Sequence, residues 1–326
     1  MIGLGVGEQH ILGYQKAGVE VISLCDFDPD KLNAIKNRFP QCRATASADE
    51  VLADPNIDIV SIASYDDHHA GQVLKALRAK KHVFVEKPLC MSEGELHEIA
   101  AELVKDSSLR LSSNTVLRVS SRFRDLRSRI AENELGQLFY VEADYNYGRL
   151  NKIQDGWRGK IPNYSVMLGG GIHVVDLLCW LIDAPVVEVS AMGNKFCSVG
   201  SGFAGPDMAV ALLRFSNGVV GKVCANFGCL YPHFHNLSVY GTKATFENRL
   251  DGGFIFKSRN ASDSPLRLES DYPGLSKADL IPSFVSSIRG EGQAIVAKND
   301  VLNTVAICLA IDKSLKSGQV EKVFGF

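Results

Sequence analysis

A glycine-rich turn near the amino terminus is the first group of residues that could do chemistry. It reads Ile2-Gly3-Leu4-Gly5-Val6-Gly7-Glu8-Gln9-His10 and leads into a helical pattern. Small residues let a strand turn tightly into a helix whose free N–H groups bind phosphate oxygens. We therefore predict that Gly3, Gly5, Val6 and Gly7 hold a pyrophosphate. The third glycine comes one residue earlier than in G-x-G-x-x-G, so on the motif alone a plain glycine turn fits equally well.

A carboxylate follows at the distance expected for a dinucleotide site. Asp26 ends the next predicted strand, about 20 residues beyond the turn, where an acidic side chain accepts the hydroxyls of an adenosine ribose. The next residue is Phe27, so this position has no Arg or Ser to bind a 2′-phosphate. This pattern predicts NAD as the cofactor and favours it over NADP.

Polar residues also follow two later strands of the same half of the chain. They are Ser64-Tyr65-Asp66-Asp67-His68-His69 and Glu86-Lys87-Pro88, and open α/β sheets bind ligands at this carboxyl edge. A lysine there can polarise a hydroxyl or act as a base, and the alternative is a surface lysine paired with Glu86. We expect cofactor contacts from Ser64, Tyr65, His69, Glu86, Lys87 and Asn114.

The second half of the chain contains a candidate acid/base pair. The segment reads Gly169-Gly170-Gly171-Ile172-His173-Val174-Val175-Asp176. His173 can take the proton of an alcohol while a hydride leaves the same carbon, and Asp176, one helical turn along, could hold the imidazole in one tautomer. The alternative is a histidine that is simply capped or solvated at a helix start. His173 and Asp176 are therefore candidates for acid/base chemistry.

Hydrogen-bonding and stacking groups suited to a sugar or a nicotinamide amide lie nearby in sequence. They occur in Asp155-Gly156-Trp157-Arg158, in Asn163-Tyr164-Ser165, and in the extended segments 145–147 and 233–235. In the extended segments Tyr145 and Tyr147, and likewise His233 and His235, point to one face, for which a subunit interface is the alternative. We predict substrate contacts from Lys87, Tyr147, Asn163, Tyr164, His173 and His233, and cofactor contacts from Trp157 and Arg158.

The elements that must position these residues change in kind near residue 118. Before it, helices (10–17, 29–38, 67–79, 92–105) alternate with strands (19–25, 58–63, 82–85, 110–113). This alternation predicts a parallel sheet with right-handed crossovers. Asp28 and Ser92 are expected helix N-caps, with Glu95 at a capping-box position.

Runs of strands dominate after residue 118. Predicted strands cover 138–147, 186–194, 207–215, 219–227, 236–241 and 244–248, with helices at 119–131, 174–181 and 301–317. Ser216-Asn217-Gly218 predicts a hairpin turn. We expect an α+β domain built on an antiparallel sheet.

Composition limits the classes of partner and compartment. The chain has 326 residues, enough for two domains, and its net charge of −2 with both signs interspersed predicts neither a nucleic acid nor a membrane partner. Eight scattered cysteines without C-x-x-C spacing are interpreted as buried free thiols in a cytoplasmic protein with no metal site. Only Met1 and Ile2 precede the turn, which would fit a misassigned start codon or lost residues.

The order of GLGVGEQH, CDFDPDK and SYDDHHAGQVLKALRAKKHVFVEKPL resembles the glucose-fructose oxidoreductase and inositol dehydrogenase family, Gfo/Idh/MocA, over the whole chain. The resemblance implies a doubly wound α/β Rossmann domain over 1–117. It also implies an α+β domain with a large open, mostly antiparallel sheet over 118–326 for substrate binding and oligomerisation as a dimer or tetramer. It assigns catalysis to Lys87 and a D-x-x-x-H-x-x-D motif in which His173 and Asp176 match, while Gly169 replaces the first aspartate.

The expected function is NAD-dependent hydride transfer at a secondary alcohol of a sugar, a cyclitol or a sugar derivative. Gly169 puts the usual acid/base set in question, so two alternatives remain open. One is a non-catalytic sensor of NAD or a sugar. The other is NAD-dependent glycoside cleavage without net redox, in which transient oxidation of one sugar carbon acidifies its neighbour.

Overall fold

The computed structural model describes residues 1–326, which divide into two units. Its helices are α1 Gly7–Lys16, α2 Pro29–Arg38, α3 Ala48–Ala53, α4 His69–Arg78, α5 Glu93–Lys105, α6 Ser121–Ala131, α7 Asn151–Gln154, α8 Ile172–Ile182, α9 Ile281–Arg289 and α10 Lys298–Ser317. A π-helix covers Met167–Gly171, and short 3₁₀ helices cover Asp66–His68, Val116–Val119 and Trp157–Lys160. No helix combines the length and the apolar character needed to cross a bilayer.

The strands are β1 Ser23–Cys25, β2 Arg43–Thr45, β3 Ile59–Ile62, β4 His82–Val85, β5 Leu111–Ser113, β6 Leu138–Asn146, β7 Val186–Asn194, β8 Met208–Phe215, β9 Val220–Asn226, β10 Phe234–Gly241, β11 Thr245–Arg249, β12 Gly252–Phe256, β13 Leu266–Leu268 and β14 Glu321–Lys322. Strands β2 and β12 to β14 and helices α3, α7 and α9 were not predicted. All of them except α9 are short and carry no clear apolar period.

The first unit comprises residues 1–116, 275–305 and 326, and the second comprises 117–274 and 306–325. We predicted one continuous second domain over 118–326, and the return of 275–305 to the first unit departs from that prediction. Helix α9 packs on α1, where a Cβ at Gly13 would lie only 2.8 Å from the carbonyl oxygen of Ala278. The absence of a side chain at Gly13 therefore permits this close approach.

A parallel sheet organises the first unit, as predicted. Strands β1 and β2 pair in parallel, as do β3, β4 and β5, and Ile2 makes parallel bridges to both Cys25 and Ile62. Ile2 therefore joins the two sets at the centre of the sheet. The predicted strand 19–25 is shorter in the structure, because its pairing with β2 begins only at Ser23.

The predicted helix caps of this unit are confirmed. The Asp28 side chain accepts hydrogen bonds from the backbone N–H groups of Asp30 and Lys31 at the start of α2. At the start of α5, Ser92 Oγ accepts from the Glu95 N–H, and the Glu95 carboxylate accepts from a backbone N–H in return. That second donor belongs to Met91, one residue before the cap.

The second unit is built on a nine-stranded sheet in the order β13-β12-β11-β10-β6-β9-β8-β7-β14. Only the pair β6–β9 is parallel, so the prediction of a mostly antiparallel sheet is confirmed. The predicted hairpin joins β8 to β9, with Gly218 at φ +88° and its N–H bonded to the Phe215 carbonyl at 3.0 Å.

One face of this sheet packs against α8 and the π-helix, and the other is partly open. Along β8 and β9 the odd-numbered residues are buried while their even-numbered neighbours are half-buried or exposed. All eight cysteines are free, but Cys197 is exposed and three others are half-buried. The expectation of buried thiols therefore holds for four of the eight.

Candidate active site

The three glycines of the first turn have different surroundings. Gly3 has φ +84°, and a Cβ there would lie 2.3 Å from the Ala63 carbonyl oxygen. A Cβ at Gly7 would meet Met1 Sδ at 3.0 Å, whereas one at Gly5 would meet nothing within 4 Å. Gly3 thus makes the turn, Gly7 brings helix and strand together, and the backbone at Gly5 is open to a ligand. Helix α1 begins without a side-chain cap, so its first N–H groups suit a pyrophosphate.

Asp26 lies at the carboxyl end of β1 next to this turn. Its Oδ2 accepts a hydrogen bond from the Leu4 N–H at 2.7 Å, and its Oδ1 accepts one from the Asp28 N–H at 3.0 Å. Each carboxylate oxygen keeps a further lone pair, which fits a ribose hydroxyl. Phe27 is 68% exposed, and its ring packs edge-on against Tyr65 at 5.6 Å. This aromatic pair beside Asp26 suits the flat adenine of a dinucleotide.

His69 connects the loops that follow β3 and β4. Its Nδ1 lies 2.6 Å from the Pro88 carbonyl oxygen, and its Nε2 lies 3.1 Å from that of Ser64. The Ser64 hydroxyl in turn bonds to Gln72. The His69 ring is fully buried, so it positions the two cofactor loops that we predicted from the sequence.

Glu86 belongs to a buried polar network that the sequence did not reveal. The Asn114 side-chain amide donates to Glu86 Oε1 at 2.6 Å, and His10 Nε2 lies 3.2 Å from the same oxygen. Burial alone would raise the pKa of the Glu86 carboxyl, but the charge of Lys277, the His10 hydrogen bond and Lys87 together hold that pKa well below its usual range. Glu86 is therefore an anion at neutral pH that orders the start of α1 and the end of β4.

Lys87 follows Glu86 directly and is only 9% exposed. The alternative of a surface lysine is therefore wrong. A buried ammonium needs specific polar surroundings, which makes Lys87 a candidate for chemistry.

Three consecutive glycines shortly before His173 let other side chains, two of them aromatic, approach the helix backbone. A Cβ at Gly169 would lie 1.8 Å from Tyr164 Oη, and one at Gly170 would lie 2.5 Å from Tyr145 Cε1. A Cβ at Gly171 would meet Met167 Sδ at 2.3 Å. These glycines lie in or at the end of a π-helix, a form found frequently at functional sites.

His173 is buried in a cluster of rings on the covered face of the sheet. The Tyr145 ring stacks on it with centroids 6.0 Å apart, and His235 lies edge-on at 6.4 Å. Tyr147 stacks on Tyr145 at 5.4 Å, and the exposed His233 packs against both tyrosines at 5.2–5.3 Å. The structure thus brings together the two extended segments that the sequence indicated, and it adds His173 to them.

His235 is oriented by a residue that sequence reasoning missed. Tyr272 Oη accepts a hydrogen bond from the His235 backbone N–H at 3.1 Å and lies 2.6 Å from Nδ1 of the same residue. Both contacts are satisfied when the phenol donates to Nδ1 and the proton of the neutral imidazole is on Nε2. The Asn248 side chain donates a hydrogen bond to the His235 carbonyl, and Arg122 donates one to Asn248. Tyr272 and Asn248 therefore both hold the first residues of β10 in place.

Asp176 forms a buried ion pair. Arg118 Nε donates to Asp176 Oδ2 at 2.9 Å, and the guanidinium donates a second bond to Oδ1 at 2.7 Å. The pairing is bidentate, a geometry that fixes both side chains. That Asp176 sets the tautomer of His173 stays a prediction.

The remaining predicted residues lie in the loop between β6 and the π-helix. The Arg158 guanidinium lies 4.3 Å above the Trp157 ring, and both residues are half-buried. Asn163 is exposed with φ +58°, and Tyr164 beside it is buried. Nowhere do three or more His, Cys, Asp or Glu side chains gather as a metal site.

Ser165 anchors the start of the π-helix. Its hydroxyl accepts hydrogen bonds from the N–H groups of Met167 and Leu168 and donates to Asp312 Oδ1 at 2.6 Å. Burial raises the pKa of the Asp312 carboxyl to about 6, against the opposing effect of the Ser165 hydrogen bond. Asp312 had no signal in the sequence, because it directly follows an apolar run of α10 and matches no motif.

Two family models match the chain. Residues 1–115 match the model described as an oxidoreductase family with an NAD-binding Rossmann fold. Residues 123–247 match the GFO/IDH/MocA C-terminal domain.

Similar proteins include a 1,5-anhydro-D-fructose reductase from Ensifer adhaerens, 26% identical over 98% of this chain and 96% of the relative. A myo-inositol 2-dehydrogenase from Thermotoga maritima is 26% identical over 74% of this chain and 72% of its own length. Among solved structures, the scyllo-inositol dehydrogenase of Lactobacillus casei with bound NAD(H) and scyllo-inositol superposes with a TM-score of 0.81. The two are 17% identical, over 98% of this chain and 97% of that one.

Proposed function

Since this chain belongs to the Gfo/Idh/MocA family of oxidoreductases, we propose that it transfers a hydride between a secondary alcohol of a sugar, cyclitol or sugar derivative and NAD. That it is a nicotinamide-dependent oxidoreductase of CH–OH groups follows from the family and its relatives. The residues, the choice of NAD and the substrate range are proposals. The observation that carries the proposed reaction is the buried His173 among stacked rings.

The residues of the first unit fit a bound dinucleotide. The open backbone at Gly5 and the uncapped start of α1 would receive the pyrophosphate, and Asp26 would receive the adenosine ribose. The carboxylate of Asp26 would repel a 2′-phosphate, and Phe27 offers no cation to neutralise one, which supports NAD over NADP. When bound, the nicotinamide supplies the carbon that accepts the hydride.

His173 is the proposed general base. It takes the proton of the substrate hydroxyl while the hydride leaves the same carbon, so the alcohol becomes a ketone with release of one proton. Lys87 donates a hydrogen bond to the reacting oxygen and stabilises the negative charge that develops there. The Arg118–Asp176 pair fixes the helix turn that follows His173.

The ring cluster supports a polyhydroxylated cyclic substrate. The exposed His233 and the half-buried Tyr147 lie at the rim of the cluster, and the buried Tyr145 forms its floor. Aromatic rings stack on the apolar faces of sugars, while histidine and tyrosine bind their hydroxyls. The names of the relatives, an anhydrofructose reductase and an inositol dehydrogenase, support the same class.

Single substitutions of the two proposed catalytic groups test this reaction. We expect Lys87→Met and His173→Asn each to abolish turnover while NAD affinity, measured by calorimetry, changes less than about threefold. The matched control is His68→Asn, at an exposed histidine in a 3₁₀ helix. Retained turnover in both single variants would overturn the assignment.

A substrate panel separates dehydrogenation from the two alternatives. The purified protein is incubated with NAD and sugars, cyclitols and aryl glycosides, and reduced nicotinamide and released phenol are both measured. Net reduction supports the dehydrogenase, phenol without net reduction supports glycoside cleavage, and tight NAD binding with neither supports a sensor. A parallel titration with NADP tests the proposed preference for NAD.

We also propose that the protein self-associates through the open sheet face and works in the cytoplasm. Eight cysteines without a disulfide support a reducing compartment. The apolar residues on the open face support the self-association.

A further inference from the structure

The place of the missing side chain at residue 169 is filled by a tyrosine hydroxyl. A Cβ on Gly169 would lie 1.8 Å from Tyr164 Oη and 2.4 Å from Tyr164 Cζ. No real Cβ makes contacts this short, so any side chain at residue 169 would expel the Tyr164 ring from its present position. Gly169 and Tyr164 are therefore a matched pair.

This hydroxyl lies on the same helix face as His173. Residues four apart in a helix have Cβ atoms roughly 5–6 Å apart on one face, and the π-helix containing Gly169 continues into α8, which contains His173. The adjacent Gly170 admits the Tyr145 ring, which stacks on His173. Two tyrosines thus reach the helix backbone within one turn of the proposed base.

Tyr164 is also held in place. It is buried, and its ring packs edge-on against Phe203 at 6.2 Å. The next residue, Ser165, caps the π-helix and is bonded to Asp312. A polar group fixed in this way loses little entropy when it binds a ligand.

We infer that the Tyr164 hydroxyl replaces an acidic side chain at residue 169, an inference that rests on the proposed function. In this role the hydroxyl forms a hydrogen bond with the substrate oxygen that His173 deprotonates. A carboxylate can only accept hydrogen bonds, whereas a phenol both donates and accepts. Tyr164 therefore donates to the developing alkoxide and keeps its own proton. The alcohol proton goes to His173, and the hydride goes to the cofactor as before.

A stability cycle tests the geometry without any substrate. Gly169→Ala should lower the urea midpoint of the wild type but have little effect in a Tyr164→Ala background, where the colliding ring is gone. The control is Gly170→Ala, whose Cβ meets Tyr145 and should cost the same in both backgrounds. An equal loss for Gly169→Ala in both backgrounds would overturn the placement.

Kinetics test the chemical role. Tyr164→Phe should lower kcat about 100-fold, the usual effect of losing one donor to a developing oxyanion, with NAD affinity and the urea midpoint nearly unchanged. The double variant Tyr164→Ala/Gly169→Asp should be at least about tenfold more active than Tyr164→Ala, since a carboxylate then occupies the vacated space.

The outcomes separate this inference from the proposed function. A Tyr164→Phe variant within about threefold of wild-type kcat overturns the role of Tyr164 and leaves the dehydrogenase assignment intact. A wild type that turns over no substrate of the panel overturns both.

Discussion

Gly3 and Gly5 lie two residues apart in the turn, yet their substitution should have different consequences. Gly3→Ala places a side chain against the Ala63 backbone at positive φ, so it should cost more than the roughly 1–2 kcal/mol of the left-handed conformation alone. Gly5→Ala meets no protein atom, so the free energy of unfolding should change little. Urea denaturation of both variants checks this contrast.

NAD binding should respond to Gly5 even though folding does not. A Cβ there would take space that the pyrophosphate needs, and we expect the Kd for NAD to rise at least about tenfold, or about 1.4 kcal/mol. Calorimetric titration of Gly5→Ala measures it, with Gly71→Ala, in open space on α4, as the matched control. An unchanged Kd would place the pyrophosphate elsewhere.

At the scale of elements, the buried ion pair between the 3₁₀ helix 116–119 and α8 should be costly to break. Asp176→Asn leaves the Arg118 charge buried without its counterion, and we expect a loss of about 3–5 kcal/mol in the free energy of unfolding. The double variant Arg118→Met/Asp176→Leu should lose much less unfolding free energy, because no charge is then buried without a counterion. Equal losses in both proteins would contradict this account.

Asp312 connects α10 to the π-helix and predicts a pH dependence of stability. Because its pKa is raised from 3.8 to about 6, the folded state keeps a proton that the unfolded state has lost, and stability falls as the pH rises through this window. Asp312→Asn removes that penalty and should stabilise the protein at pH 8 by about 3 kcal/mol.

The gain from Asp312→Asn should vanish at about pH 3 and below, under the unfolded-state pKa of 3.8, where both states hold the proton. Urea unfolding at the two pH values measures the difference. The exposed Asp263→Asn serves as the control and should show no gain at either pH. A gain that did not depend on pH would point to a packing effect of the amide.

For the whole molecule, the open face of the nine-stranded sheet is the proposed surface for self-association. Leu212 is 54% exposed there and lies near the half-buried Lys222, which pairs with Glu142 and Asp144. Leu212→Arg should convert the assembly to monomers without loss of folding, because a charge would then be buried in the interface. Light scattering coupled to gel filtration gives the mass.

The matched control for Leu212→Arg is Leu230→Arg. Leu230 is fully exposed and lies between β9 and β10, outside any strand. It should leave the assembly unchanged. A wild type that is monomeric, or an assembly that resists Leu212→Arg, would exclude this face as the interface.

Local signals in the sequence determined much of this protein. The caps at Asp28 and Ser92, the hairpin at Gly218 and most strands of both sheets were predictable, because each depends on backbone chemistry within a few residues. The family motifs in the sequence also predicted the fold and the oxidoreductase class.

Only the tertiary structure decided which distant residues meet. The network of His10, Glu86 and Asn114, the orientation of His235 by Tyr272 and the return of 275–305 to the first unit join residues far apart in sequence, and no local pattern encodes them. Gly169 shows the difference most clearly. In the sequence it is a missing aspartate, whereas in the structure it is the space that Tyr164 requires, since a glycine's surroundings exist only after the chain has packed.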